Sequence, residues 1–202
     1  MAVNFKNKES VLEVKPWEKV GEPNTIIQIH DKRIVMRKFK NPRTNKVEEF
    51  YQFGTTPYAC IILPLNTDNE VLAVKQFRHG ADKILLELPG GNPKTPEQTP
   101  EEVAEEELFE ESLGHRAEKI IKLNSEPLWF NPATFITPFH AFLALGCRQT
   151  EESFKLDQGE YLELTKIPLK KWLAMCTSGK IVDAKSMAVT FLALDNIGLK
   201  IT

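Results

Sequence analysis

A dense run of carboxylates that must sit on a helix constrains this chain more than any other feature. Eight of its 28 acidic residues lie between Glu97 and Glu111, and no Lys or Arg falls between Lys94 and Arg116. The same residues carry helix start and stop signals, so the run is not a disordered acidic tail. Thr99 is a candidate N-cap, Pro100 suits the first helical position, and Glu102 completes a capping box. Gly114 is a candidate stop. This helix places Glu107 and Glu111 four residues apart on one face, with Glu110 beside them. Like charges at that spacing repel by roughly a few tenths of a kcal/mol per pair. A hard divalent cation such as Mg²⁺ would offset the repulsion. A solvated acidic face is the plainer account of a Glu-rich helix, but the Gly90-Gly91 loop directly ahead favours the cation.

Composition narrows the class. A chain of 202 residues can bury a real core and suits one domain, or one domain with a small appendage. The net charge of −2 argues against a general nucleic-acid binder. No apolar run approaches the ~20 residues needed to span a bilayer. The first residues lack the apolar core of a signal peptide. Cys60, Cys147 and Cys176 fit neither a zinc pattern nor a disulfide framework, and their apolar surroundings predict buried, reduced thiols. The cytoplasm is the expected location.

Periodicity predicts a mixed α/β chain. Thr25 to His30 and Arg33 to Lys38 read as a hairpin turning at Asp31-Lys32, with Glu48 to Phe53 as a third strand. Apolar strands follow at Tyr58 to Leu65, Val71 to Phe77 and Ile84 to Leu88. After the acidic helix come strands near Ile120 to Asn124, Phe139 to Leu145 and Tyr161 to Ile167. Helices are expected from Pro168 to about Cys176 and from Ala184 to Asn196.

The glycine loop and the acidic helix resemble the Nudix hydrolases. Their box is Gly, five residues, Glu, seven residues, then Arg-Glu-U-x-Glu-Glu-x-Gly-U, with U aliphatic. Gly91 and Glu97 match its front, and Glu107-Leu108-Phe109-Glu110-Glu111 match its core. Gln76-Phe77-Arg78, Leu86-Glu87-Leu88-Pro89-Gly90-Gly91 and the stretch from Gly179 to Ala188 are similar to the ADP-ribose and nucleoside-diphosphate-sugar branch. The likeness runs from about residue 25 to 195. It departs from the box in two places. Eight residues follow Glu97, so that Glu106 stands where the box has Arg, and Leu113 intervenes before Gly114. In the family that Arg orients a catalytic carboxylate. Glu106→Arg is therefore expected to raise turnover, unless another cation such as Lys94 or Arg116 fills the role.

The resemblance implies an α/β/α sandwich with a mixed sheet and a small N-terminal sheet. Residues 1–54 are expected to be a dimer-forming β segment, and residues 55–202 the catalytic domain. The implied activity is Mg²⁺-dependent hydrolysis, with Mn²⁺ as the alternative metal, of the pyrophosphate in ADP-ribose or a nucleotide sugar. A non-catalytic module that binds a nucleotide or protein is the competing reading. The metal is assigned to Glu107, Glu110, Glu111 and a loop carbonyl such as that of Gly90. Arg78, Glu87 and Gly91 are assigned to the substrate: Arg78 suits a phosphate, and Glu87 suits a substrate hydroxyl, support of the metal site, or plain solvent. Glu111 and a general base complete the catalytic set. In that branch the base comes from an acidic loop, here Asp157 to Glu163, with Glu160 preferred over Glu163 and Asp157. Trp129 and Phe130 suit a nucleobase or simple packing, and His79 and His140 are read as structural. A small-molecule substrate, no nucleic acid, no membrane and a homodimer are the expected partners. An isolated sheet of that size is marginal, so Ile27, Ile34, Met36 and Phe50 are expected to be buried in the dimer, with packing against the chain's own core as the alternative.

Overall fold

The computed structural model describes residues 14–30, 32–55, 57–156 and 161–198. The chain forms two compact units that meet in sequence at Phe53 and Gly54. The first is an antiparallel meander of β1 (Glu18–Ile29), β2 (Lys32–Lys40) and β3 (Val47–Gly54). β1 is longer than its apolar pattern predicts. Its ladder with β2 shifts register between Val20 and Asn24, which lets Gly21-Glu22-Pro23 bulge out while the pairing resumes on either side. Asp31, half of the predicted turn, lies outside the described residues. Val35 is buried, and an edge-on aromatic set joins Trp17, Phe39 and Phe50. Ile26, Ile27, Ile29, Val47, Phe50, Tyr51 and Phe53 all stay exposed.

The second unit is built on a mixed sheet. Its strands are β4 (Ala59–Asn66), β5 (Glu70–Arg78), β6 (Lys83–Glu87), the short β7 (Gly90–Gly91) and β8 (His115–Arg116), β9 (Lys119–Lys122), β10 (Phe139–Gln149) and β11 (Leu162–Pro168). The central order is β11-β5-β4-β10-β8, with β6 on β5, β7 on β4 and β9 on β10. β4 and β10 run parallel, and the other pairs in the unit are antiparallel. Among the described residues, three α-helices cover the sheet: α1 (Pro100–Glu111), α2 (Leu169–Thr177) and α3 (Ala184–Ala193).

Strand alternation sorts the core into two layers. Cys60 and Ile62 of β4, Leu72 of β5, and Phe142 and Ala144 of β10 pack with Val103, Ala104 and Leu108 of α1. The intervening Ile61, Leu63, Val71, Ala73, Ala141 and Leu143 pack with Trp172, Cys176, Val189 and Ala193 from α2 and α3. Both faces are covered, which explains why β4 reads as a continuous apolar run. The expected α/β/α sandwich and small N-terminal sheet are both present. Cys60, Cys147 and Cys176 are buried free thiols, as their surroundings predict.

The acidic helix starts where the sequence says it should. Thr99 caps the Glu102 amide, and the Glu102 carboxylate accepts from the Thr99 amide at 2.8 Å. It ends differently. Leu113, not Gly114, takes the first left-handed position, with φ +56°. The Leu113 amide reaches the Glu110 carbonyl at 3.1 Å and the Gly114 amide reaches Phe109 at 2.8 Å, which is a Schellman closure. The box has glycine at this position, and a Leu there carries the steric penalty of its Cβ. Leu113→Gly should therefore stabilise the protein by about 1 kcal/mol. A thermal midpoint that falls would show that the side-chain packing of Leu113 outweighs the backbone strain.

Candidate functional site

The inward face of α1 changes character along its length. Val103, Ala104 and Leu108 are buried apolar residues, and Glu107 and Glu111 are buried carboxylates, 7% and 3% exposed. Burying Val103 and Leu108 contributes roughly 1.5–3 kcal/mol each. That exceeds the repulsion within the acidic row, so the apolar half carries the acidic half inward.

The carboxylates come to rest on the glycine loop. The Gly90 amide donates to Glu111 Oε2 at 2.7 Å. A Cβ on Gly91 would overlap the Glu107 carboxylate, and one on Gly90 would overlap the Cys60 carbonyl and Ile61 of β4. The two glycines thus let the loop lie between strand and helix with no side chain in the seam. Burial and the nearby Glu107 carboxylate push the Cys60 thiol up to about 12, so it is inert.

Beside this seam, Arg78 Nε donates to Glu87 Oε1 at 2.6 Å. Glu87 is 2% exposed, so it does not face plain solvent. The Arg78 side chain remains 40% exposed. Burial lowers its pKa, but the Glu87 hydrogen bond and the fields of Glu87, Glu111 and Asp183 outweigh that and raise it. Asp183 caps α3 by accepting from the Ser186 amide at 2.8 Å and hydroxyl at 2.7 Å. The Ser186 hydroxyl in turn accepts from the Leu88 amide at 2.8 Å, which ties α3 to the strand that feeds the glycine loop.

Glu110 turns outward. Lys94 Nζ lies 2.7 and 2.9 Å from its two oxygens and 2.9 Å from Glu106 Oε1. Gln98 Nε2 donates to Glu106 Oε2 at 2.7 Å, and Gln98 Oε1 accepts from the Lys94 amide at 2.6 Å. Burial opposes the charge on Lys94, but the hydrogen bonds with Glu110 and Glu106 prevail and raise its pKa. Burial likewise opposes the charge on Glu106, and the bonds from Lys94 and Gln98 prevail and lower its pKa. Lys94 is thus the one of the two cations, Lys94 and Arg116, that meets Glu106, and Gln98 joins it. Gln98 stands the box's seven-residue gap ahead of Glu106.

The structure therefore gathers Gly90, Gly91, Glu107 and Glu111, with Arg78 and Glu87 as a pair close to Glu111. Among the described residues, no three His, Cys, Asp or Glu side chains converge tightly enough to form a cation cage as they stand. Glu163 is exposed on β11 and paired with Lys75 Nζ at 2.7 Å. Asp157 and Glu160 lie outside the described residues. Trp129 and Phe130 are about half exposed, with Phe130 edge-on to Phe135. His79 stands edge-on to Phe77, and His140 is buried edge-on to Tyr58.

The two glycines should respond differently to a methyl group. Gly90→Ala meets the backbone of β4 and should destabilise the fold by about 1–3 kcal/mol. Gly91→Ala meets only the end of the Glu107 side chain, so it should cost less while displacing that carboxylate. Denaturant midpoints of the two variants check this order, and a Gly91 variant that is the less stable would refute it.

Residues 54–177 match the NUDIX domain family. Among curated proteins, the chain is similar to an ADP-ribose pyrophosphatase of Bacillus subtilis (strain 168). The two are 31% identical over 139 residues, which cover 68% of this chain and 73% of the relative. A methanol dehydrogenase activator of Bacillus methanolicus is 28% identical over the same length, with the same coverage. Among solved structures, an ADP compounds hydrolase superposes with a TM-score of 0.76 at 18% identity, over 92% of this chain and 96% of that one, a likeness of fold. The family match spans most of the chain and takes in the whole strand, glycine loop and acidic helix described above: this protein belongs to the Nudix hydrolase family.

Proposed function

We propose that this protein hydrolyses the pyrophosphate of ADP-ribose, or of a related nucleoside diphosphate sugar, releasing a nucleoside monophosphate and a sugar phosphate. The observation that carries the reading is the seating of two buried carboxylates, Glu107 and Glu111, on a glycine loop close to Arg78. The similarity to a relative named ADP-ribose pyrophosphatase supports the substrate class.

The residues fit a hard divalent cation, Mg²⁺ or Mn²⁺, because the donors are all oxygen: Glu107, Glu110, Glu111 and the backbone of Gly90. Such a cation supplies charge neutralisation on the pyrophosphate oxygens and a lowered pKa for bound water. Arg78 binds a phosphate through the part of its guanidinium that Glu87 does not engage. Glu87 serves the substrate through Arg78, since a carboxylate this buried holds the guanidinium rather than facing solvent. Gly91 keeps the loop open to close approach. Glu111 is both ligand and catalytic carboxylate, and Glu160 is assigned as the base that takes the proton from the attacking water.

A homodimer joined through the N-terminal sheet belongs to the same reading. Its support is the exposed apolar set of Ile26, Ile27, Ile29, Phe50 and Phe53, which a small sheet does not leave in water without cost. The three reduced, buried thiols suit the cytoplasm. Glu106 in the arginine position and the relative named as an activator favour a second reading, a module that binds a nucleotide or protein without turnover.

Three measurements test these assignments. Incubation with ADP-ribose and a panel of nucleotide sugars, with and without Mg²⁺, should release phosphate on adding a phosphatase. No Mg²⁺-dependent release from any substrate would favour the binding module. Glu107→Gln and Glu111→Gln should each abolish most of the Mg²⁺-induced rise in Tm, and full retention in both would refute the metal assignment. Light scattering at micromolar concentration should give a dimer, and a clean monomer would defeat that part of the reading.

A further inference from the structure

Counted back from Glu106, the box places its first acid at Gln98 and its arginine at Glu106. An acid and a base have thus been replaced by an amide and an acid. The two side chains still meet, but the pair is one positive charge short. Lys94 supplies that charge. Its ammonium bridges Glu106 and both oxygens of Glu110, while its amide is held by the same Gln98 side chain that holds Glu106. The ring is closed: Gln98 fixes the Lys94 backbone and Glu106, Glu106 fixes the ammonium, and the ammonium fixes Glu110. Tyr58 anchors the ring to the sheet by donating to the Gln98 carbonyl.

Among the described residues, two other cations beside α1 are engaged elsewhere. Arg116 makes two hydrogen bonds to Glu152, at 2.8 and 2.7 Å, and lies over the Phe109 ring. Lys122 pairs with Glu101 at 3.3 Å. Glu110 needs a partner more than most surface acids do. It stands in the last turn of α1, which has no basic residue of its own, and an acid there opposes the helix dipole.

We propose that Lys94 is a positioning residue that replaces the box arginine, setting the rotamer of Glu110 from the loop instead of from the helix. The inference rests on the metal reading given under the proposed function. Lys94→Met removes the charge but keeps most of the stem. Relative to the wild type it should raise the Mg²⁺ concentration needed for half of the Tm rise. It should also lower kcat for ADP-ribose on the order of 10- to 100-fold, the usual cost of losing a group that orients a metal-binding carboxylate, with KM little changed. Lys94→Arg should recover most of that loss. The double variant Lys94→Met/Glu106→Arg, which returns the charge to the helix, should also recover it. An unchanged Mg²⁺ response in Lys94→Met, or a double variant no better than the single one, overturns the proposal. So does a Lys94→Met protein that responds to less Mg²⁺, since Lys94 would then compete with the metal. A wild-type protein with no Mg²⁺ response overturns the metal reading itself, and this inference with it.

Discussion

The hydrogen bond from the Gly90 amide to Glu111 is the contact on which the rest of the site depends. It requires the loop to fit between helix and strand with no side chain in either seam, which Gly91 allows on the helix side and Gly90 on the strand side. Glu111 ends a helix whose dipole repels it. A backbone amide aimed at the carboxylate compensates at short range, where a solvated partner would be screened. The apolar half of α1, docked on Cys60, Ile62 and Phe142, holds this geometry in place.

The carboxylates of α1 are stabilised in two different ways. Glu107 and Glu111 are buried in the seam against the glycine backbone, whereas Glu106 and Glu110 are answered by Lys94 at the loop edge. One helix thus carries an inward acidic row and an outer row. The rows are one residue apart in sequence, which on a helix is a rotation of about 100°.

Much of this was legible in the sequence, for physical reasons. The capping box at Thr99 is local chemistry, so the start of α1 could be read directly. The buried strands β4, β5 and β10 announced themselves by apolar runs that water would not tolerate. Where the structure departs from these expectations, a contact distant in sequence is the cause at Glu87, Lys94 and β1, and a local one at Leu113. Glu87 is buried because β6 folds back beside β5 and brings it to Arg78. Lys94 meets Glu106 and Glu110 across a loop, at 12 and 16 residues' separation, so helical spacing says nothing about it. Leu113 in a left-handed turn was hidden because Gly114 offered a cheaper stop one residue later. β1 ran past Gly21-Glu22-Pro23 because β2 remained available beyond the bulge.

The family match ends at residue 177, yet the Leu88 amide is held by Ser186, and Trp172 of α2 donates to Thr190 of α3 at 2.9 Å. The segment recognisable by similarity is therefore shorter than the segment that is mechanically closed. A fragment cut at the recognisable boundary would retain the carboxylates of α1 and the glycine pair. It would lose the hydroxyl that fixes the strand leading into that pair, and one wall of the inner apolar layer. The strand leading into the glycine loop is thus tied to a helix nearly a hundred residues downstream, so the folded unit is set by connectivity in space rather than by the span of the motif.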